Sequence, residues 1–340
     1  MTAQFSGKIS INCQSHSGYI RDLTLDYQRI SIEPCLIGLD KEQVIQRIGQ
    51  VITLCPISHQ IASLTAFTHV EHPSQSVTIS SEQISQLKQE WISTYAMQWM
   101  QIAQLLNMTE LWAPVVRLLL TGQHQAALKA MLNKDIQSLS GEDIQSLFES
   151  NQFEPNSQIY AIWNWTQSYD WHLSEAKYQQ IAMLLAHGQL GDKAITHNTL
   201  WSLFEIKLQQ LITLILDEEN TAKLLLESSG FEKITYHVMG DIGKAEVRAP
   251  RGTLFHQVEC DDAGKVIRYQ IKTPTDTLCS EESSGELSEE SKEAQSVTLK
   301  SFLSDCPLPK QNPLLGIKVL LALIDPCVPV EMALECESSD

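Results

Sequence analysis

The chain has 340 residues, with 24 lysines and arginines against 41 aspartates and glutamates, and a formal net charge of −17. An acidic surface disfavours nucleic acid, because phosphate binding requires clustered cations, so the composition favours protein or small-molecule partners. The length allows a large buried core, arranged as one large domain or two smaller ones.

Two further features of the sequence bear on the cellular compartment. No apolar run reaches the ~20 residues needed to cross a bilayer, and residues 1–5 lack the basic and apolar parts of a secretory signal. The sequence therefore predicts a cytoplasmic protein without membrane insertion. In that compartment the eight cysteines are expected to be reduced thiols that either bind metal or pack in the core.

The first half of the chain is predicted to begin with strands and to continue with helices. Residues 7–32 alternate apolar and polar side chains, which predicts a small sheet with a turn at Ser17-Gly18. From about residue 41 the spacing becomes helical, with Val44, Ile48 and Val51 on one face of a helix that leads to Cys55. The same spacing predicts a helix capped near Ser80 that carries Ile84, Leu87, Trp91 and Tyr95, and helical stretches at 111–131, 158–187 and 197–229.

After Gly240 the pattern returns to strands. The turn residues at 261–264 separate the strand-like segments 254–258 and 266–271, which predicts a β-hairpin. Residues 280–296 are acidic and rich in serine, which predicts a flexible solvated loop, with a dedicated docking segment as the alternative. The segment 313–324 is apolar nearly all round, so it predicts a buried helix that carries Cys327 into the interior.

Two cysteines have sequence neighbours that suggest a metal site. Cys55 is followed by Pro56 and, four residues on, by His59, while Cys327 follows Asp325-Pro326. A thiolate is a soft, strongly donating ligand that suits iron, nickel, copper or zinc. Taken singly, such cysteines are more often small buried hydrophobic residues, and the sequence alone leaves open whether the two meet.

These segments resemble the large subunit of nickel-iron hydrogenases. That family carries an amino-terminal Arg-x-Cys-Gly-x-Cys-x-x-x-His motif, a Glu-Ala-Pro-Arg-Gly motif and a carboxy-terminal Asp-Pro-Cys-x-x-Cys-x-x-His motif. Cys55 aligns with the second cysteine of the first pair, Cys327 with the first cysteine of the second pair, and residues 249–252 keep Ala-Pro-Arg-Gly. The departures are Gln50 for the arginine, Ile52 and Val330 for the other two cysteines, Ala333 for the last histidine, and Glu246, displaced by two residues, for the glutamate.

The resemblance implies an α+β fold like that of the hydrogenase large subunit, with a helical core and small peripheral sheets and hairpins. The resemblance covers most of the chain, with sharp motifs only near 44–63, 246–275 and 320–330, and it implies a single domain over residues 1–340. Its parts are an N-terminal β segment (1–32), the helical core (41–230), a β-hairpin region (240–275), the flexible acidic loop (280–296) and a C-terminal part with the last helix and the Asp-Pro-Cys motif (297–340).

The resemblance also implies a ligand set. In the family, four thiolates hold nickel and an iron that carries carbon monoxide and two cyanides. With two of the four replaced by aliphatic residues, Cys55 and Cys327 are expected to hold the iron with its diatomic ligands, transiently and without nickel. Arg251 and the Pro274-Thr275 segment would lie beside the cyanides, and His59 near the bridging cysteine. The ordinary alternatives are a salt bridge without function at a strand start for Arg251 and a satisfied helix histidine for His59.

The function implied is that of a non-catalytic maturation scaffold, similar to the HupK/HoxV family, rather than an enzyme. Ser6 replaces the proton-transferring glutamate of the family, and no terminal histidine precedes the end at Asp340. The expected partners are hydrogenase maturation chaperones and the large-subunit precursor. Two alternatives stay open: a reduced hydrogenase-like oxidoreductase that rebuilds its site with Cys13 or Cys35, and a metal-free mimic that binds a chaperone while Cys55 and Cys327 are merely buried.

Overall fold

Strands at both ends of the chain enclose a long helical middle. The computed structural model describes residues 7–72, 77, 79–134, 141–185, 199–216, 242–280 and 297–336. The helices are α1 (Lys41–Val51), α2 (Pro56–Glu71), α3 (Ser81–Leu105), α4 (Thr109–Leu120), α5 (His124–Leu132), α6 (Gly141–Ser150), α7 (Gln158–Ser168), α8 (Glu175–Leu185), α9 (Leu200–Leu216), α10 (Pro274–Cys279), α11 (Leu299–Leu303) and α12 (Pro313–Ile324). The strands are β1 (Lys8–His16), β2 (Tyr19–Gln28), β3 (Ile242–Ala249), β4 (Gly252–Cys260), β5 (Val266–Lys272) and β6 (Val330–Cys336), and a short 3-10 helix covers Glu33–Leu36.

The first sheet joins the two ends of the described chain. Strands β1 and β2 form the predicted antiparallel hairpin, and its turn uses positive φ angles of 52° at Ser17 and 80° at Gly18. Strand β6 was not predicted; it pairs parallel to β1 in the order β2-β1-β6, with Ile9 opposite Val330. The carboxy-terminal motif therefore lies directly before β6, an edge strand that pairs with the central strand β1.

The helical middle follows the predicted pattern with three corrections. Ser80 and Gln83 form a capping box at the start of α3, and three of the four residues on its predicted face, Leu87, Trp91 and Tyr95, are buried. The predicted stretch 111–131 is two helices, α4 and α5, separated by a turn at Gly122, and 158–187 is likewise divided into α7 and α8. Val51 is 46% exposed, because α1 ends there and the chain turns away from the core.

The second sheet, β3-β4-β5, contains the predicted hairpin. Asp261 closes its turn by accepting hydrogen bonds from the backbone N–H groups of Ala263 (3.0 Å) and Lys265 (2.8 Å). Helix α2 packs so closely on β3 that a Cβ at Gly243 would lie 1.8 Å from the Ala66 carbonyl oxygen. This contact fixes the distance between the helix that begins after Cys55 and the sheet that carries Arg251.

Helix α12 is buried along most of its length, as its apolar sequence predicted. The side-chain amide of Gln98, on α3, donates to the carbonyl oxygens of Ala322 (3.0 Å) and Leu323 (2.7 Å). Carbonyls in the last turn of a helix lack partners within that helix, so Gln98 fixes this end of α12 in the core. Residues 281–296 of the acidic segment lie outside the described residues, and no described helix has both the length and the apolar character to cross a membrane.

Candidate metal-binding site

Four connections between elements meet around Arg251. Cys55 is the residue that precedes α2, Arg251 lies in the turn between β3 and β4, Thr275 lies in the first turn of α10, and Cys327 follows α12. Asp325, the residue after α12, has a left-handed backbone conformation with φ 54° and ψ 63°. The structure thus gathers segments separated by more than 270 positions in the sequence into one small region.

Cys55 has an unusual backbone conformation. Its φ of 55° and ψ of 44° lie in the left-handed region, which a residue with a β-carbon rarely adopts. Pro56 starts α2 directly after it, and the backbone N–H of His59 donates to the Cys55 carbonyl oxygen at 3.1 Å. The Cys55 side chain makes no capping hydrogen bond and packs with Ala249 and Leu254 in a small buried cluster. The strained backbone therefore aims the thiol at the end of β3 instead of at its own helix.

Arg251 connects one thiol to the carboxylate of the Asp-Pro-Cys motif. Its Nη1 donates to Cys55 Sγ at 3.5 Å, and its Nε lies 2.8 Å from Asp325 Oδ2. The two charged side chains are only 8% and 12% exposed, so this is a buried ion pair. The ordinary alternative, a salt bridge at a strand start, fits this contact as well, because β4 begins at Gly252. Burial lowers the pKa of Arg251, but Asp325, Cys55 and Cys327 outweigh burial and raise it, so the guanidinium stays charged.

Thr275 positions Cys327 through the backbone. The N–H of Cys327 donates to Thr275 Oγ1 at 2.7 Å, and Thr275 is 1% exposed. Pro274 is the first residue of α10, and Thr273 caps that helix by accepting from the Asp276 N–H. Because the Thr275 oxygen acts as acceptor towards Cys327, the hydroxyl hydrogen remains able to donate to a second group.

Both thiols lie close enough to the Arg251 guanidinium to interact with its charge. The charge of Arg251 lowers the pKa of both Cys55 and Cys327, and the nearby Cys327 raises the pKa of Cys55. Burial raises the pKa of both thiols above the ordinary value, and Arg251 opposes that shift, so without metal both are neutral at neutral pH. The structure thus brings together the predicted residues Cys55, Cys327, Arg251 and Thr275.

Among the described residues, no His, Cys, Asp or Glu completes a group of three with the two thiols. Within the described ranges, no group of three or more His, Cys, Asp or Glu side chains is placed to hold a metal ion. Cys13 lies in β1, where its thiol contacts the Ala333 carbonyl oxygen, and Cys35 is exposed in the 3-10 helix. A metal held by Cys55 and Cys327 would therefore have to bring its remaining ligands with it, and two soft thiolates suit an iron that does so.

His59 takes part in a buried chain of hydrogen bonds that leads away from the thiols. Its Nδ1 lies 2.9 Å from His256 Nε2, His256 Nδ1 lies 2.9 Å from the Tyr269 hydroxyl, and that hydroxyl donates to Ser63 Oγ at 3.0 Å. Because Tyr269 donates to Ser63, His256 donates to Tyr269 and accepts from His59. The ordinary interpretation of a satisfied helix histidine fits these contacts. Burial lowers the pKa of His59 to about 4 and that of His256 well below its usual range.

Glu90 was missed by the sequence interpretation. This α3 residue accepts hydrogen bonds from the backbone N–H groups of Ile57 (2.6 Å) and Ser58 (3.1 Å), and from the Ser58 hydroxyl. It therefore caps the first turn of α2 in place of Cys55. Burial raises the pKa of Glu90, whereas these hydrogen bonds and Arg251 lower it. No sequence signal singles it out, because the glutamate lies 33 residues from the turn that it caps.

Lys207 and Arg248 were missed as well. Lys207 is 2% exposed in α9, and its Nζ lies 5.3 Å from the centre of the Tyr95 ring. Arg248 is 8% exposed and lies in β3, three positions before Arg251. Burial lowers the pKa of Lys207 to about 7 and that of Arg248 to about 10. The sequence does contain a signal for Lys207, since it is the one cation in the apolar segment of α9.

Comparison with solved structures defines the fold. The chain superposes on the nickel-iron-selenium hydrogenase of Desulfovibrio vulgaris Hildenborough in the reduced state with a TM-score of 0.51 and 13% identity, covering 92% of this chain and 94% of that chain. The reduced, active nickel-iron-selenium hydrogenase of Desulfomicrobium baculatum gives a TM-score of 0.51 and 12% identity, covering 93% and 95%. An NAD+-reducing nickel-iron hydrogenase in the H2-reduced state superposes with a TM-score of 0.48 and 14% identity, covering 91% of this chain and 93% of that chain. No family model and no curated protein matches the chain.

The chain therefore has the α+β fold of nickel-iron hydrogenase large subunits, as its sequence motifs predicted. At 12–13% identity the likeness to these two structures establishes the fold alone. A shared fold does not fix the activity, which has to be argued from the chain's own residues.

Proposed function

We propose that this protein is a non-catalytic assembly scaffold for a nickel-iron hydrogenase, which carries iron with its carbon monoxide and cyanide ligands to the large subunit. The observation that supports it is the pair of thiols beside the Arg251 guanidinium, which contacts the buried Cys55 at 3.5 Å and interacts electrostatically with the half-buried Cys327. Two thiolates from distant segments suit a metal that arrives with other ligands and must later leave, because a closed site of four protein ligands would release it slowly.

Each residue of the site has a distinct part in holding the fragment. The Cys55 and Cys327 thiols lose their protons when they bind the metal, and the charge of Arg251 favours the two thiolates. Arg251, through its unused N–H groups, and the Thr275 hydroxyl would donate to the cyanide nitrogens. Asp325 holds the guanidinium beside Cys55. The bound iron supplies the sites for the diatomic ligands.

The absence of catalysis is part of the proposal. The positions that complete the four-thiolate site in the family are occupied by Ile52 and Val330, whose aliphatic side chains cannot bind nickel. Ile52 directly follows α1, and Val330 is the first residue of β6. The expected partners are hydrogenase maturation chaperones and the large-subunit precursor, and the expected compartment is the cytoplasm, where that precursor would be assembled.

Burial of the thiols also supports a second candidate, a metal-free mimic that binds a chaperone through the copied fold. Buried cysteines with raised pKa values are ordinarily unreactive core residues. In that case Arg251 would serve only to pair with Asp325, and neither thiol would be needed for the function.

Cysteine variants separate the two candidates. Cys55→Ser and Cys327→Ser should each lose the bound iron and fail to support maturation of the partner hydrogenase, because a hydroxyl is a poor substitute for a soft thiolate. Cys260→Ser is the matched control, since Cys260 is also buried but lies at the end of β4 in a different cluster. Normal iron content and normal maturation in both ligand variants would overturn the scaffold proposal and leave the metal-free mimic.

A further inference from the structure

Helix α3 holds both of the elements that bring the thiols to the candidate site. Its Glu90 caps the first turn of α2, which begins directly after Cys55. Eight positions further along α3, Gln98 donates to two carbonyl oxygens in the last turn of α12, from which the chain continues to Cys327. At about 1.5 Å of rise per residue, the two side chains leave the helix about 12 Å apart along its axis. Helix α3 therefore fixes the start of one thiol segment relative to the end of the other.

These contacts and those of Arg251 form a closed ring. From Gln98 the ring passes through the end of α12 to Asp325, whose carboxylate lies 2.8 Å from Arg251 Nε. Arg251 donates to Cys55 Sγ at 3.5 Å, and α2 leads back to Glu90 and α3. Because each segment is held at α3 and again at Arg251, the position of the thiols depends on both contacts to α3.

The ring passes through two residues with unfavourable backbone conformations. Cys55 has φ 55° and Asp325 has φ 54°, both in the left-handed region that residues with a β-carbon rarely adopt. Such conformations persist where the surrounding contacts hold them in place. Glu90 holds the helical turn after Cys55, and Gln98 holds the helical turn before Asp325. The two α3 side chains are therefore placed to maintain both of these conformations.

We propose that Glu90 and Gln98 are positioning residues, through which α3 keeps Cys55 and Cys327 close enough for one metal atom to bind both thiols. The inference rests on the proposed function and adds the part of the chain that keeps the empty site ready for its cargo. Neither residue has to touch the metal. Ligands that are already in place bind more tightly than ligands that must first be ordered, because the ordering costs free energy.

Phenylarsine oxide tests this spacing, since its arsenic atom forms two As–S bonds with a pair of neighbouring thiols and its oxygen leaves as water. Binding is measured by equilibrium competition with 2,3-dimercaptopropanol, and the part that both Cys55→Ser and Cys327→Ser lose is assigned to this pair. Glu90→Gln and Gln98→Met should each weaken that part at least about tenfold, because displacing one of two ligands lowers their effective concentration. Combining the two changes should add little to the larger single effect, because one break already opens the ring.

Gln89→Met is the matched control. Gln89 also lies on α3, and its amide donates at 3.3 Å to the carbonyl oxygen of Leu119 in the last turn of α4. The variant removes the same kind of contact from an element that carries neither thiol. It should leave arsenic binding unchanged, even where urea unfolding shows a loss of stability as large as that of Gln98→Met.

Each other outcome counts against the inference or against the proposed function. If the wild-type protein does not form the arsenic bridge, or if Glu90→Gln and Gln98→Met lose stability without losing arsenic binding, the inference is overturned. Losses that multiply in the double variant would also overturn it, since they would show two separate caps. Arsenic binding that depends on both residues, in a protein without carbon monoxide and cyanide bands, would keep the positioning role and reject the iron cargo. Should either variant fail to fold, Glu90→Asp and Gln98→Asn, which shorten the same side chains, should weaken arsenic binding in the same way.

Discussion

Acid should destabilise the protein through the buried His59–His256 pair. Both side chains are almost completely buried, and each is neutral in the folded state. For His59 the pKa falls from the ordinary 6.5 to about 4 on folding, so between these values the unfolded chain binds more protons than the folded one. The stabilisation is fully present above pH 6.5 and is lost as the pH falls. At about 1.4 kcal/mol per pH unit, His59 alone accounts for about 3 kcal/mol by pH 4.

Urea unfolding at several pH values between 7 and 4 measures this loss. The double variant His59→Gln/His256→Gln removes both titrating groups and should flatten the pH dependence of the unfolding free energy by at least about 3 kcal/mol relative to wild type. His172→Gln is the control, because its ring is 88% exposed, and it should follow the wild-type curve. The reasoning is wrong if the double variant retains the full wild-type slope, since other groups would then account for acid sensitivity.

Four further perturbations have outcomes that follow from the structure. Thr275→Val should destabilise the fold by about 1–3 kcal/mol in urea unfolding, because it leaves the buried Cys327 N–H without its acceptor, and Thr275→Ser should be much milder. Gly243→Ala should lower the free energy of unfolding by about 1–3 kcal/mol or more, because the added Cβ meets the Ala66 backbone. Gly49→Ala is the control, since its Cβ meets only the flexible end of Gln60. Equal thermal stability of the two variants would contradict the proposed packing. Arg251→Lys should retain iron but shift the cyanide infrared bands, because an ammonium cannot contact Asp325 and Cys55 in the same way; unshifted bands would remove Arg251 from the site. Deleting residues 281–296 should leave the unfolding free energy nearly unchanged, as its acidic, serine-rich composition predicts, and loss of soluble protein would show a structural role.

Local patterns in the sequence predicted most of the elements. The alternation in residues 7–32, the turn residues around Asp261 and the apolar segment before Ile324 each depend on neighbours close in sequence. Strand β6 escaped prediction because its pairing with β1 joins residues more than 300 positions apart. The exposure of Val51 was missed for a related reason, since helical spacing gives a face but not the point at which the chain leaves the core.

The candidate site shows the same division between local and non-local information. The motifs around Cys55, Arg251 and Cys327 singled out residues that are neighbours in the fold, but only the fold shows that the Arg251 charge acts on both thiols. The capping role of Glu90 and the burial of Lys207 depend on how α3 and α9 pack, which periodicity does not give. The partner of His59 was likewise hidden, because His256 reaches it from the second sheet.

Infrared spectroscopy of the wild-type protein, purified without oxygen from cells that assemble a nickel-iron hydrogenase, tests the central claim most directly. Bound carbon monoxide and cyanide absorb in a region where proteins do not. The account predicts bands of both ligands, with iron present and essentially no nickel, and their loss in Cys55→Ser and Cys327→Ser. Absence of the bands together with full support of hydrogenase maturation would contradict it, and so would nickel equal to iron in the same sample.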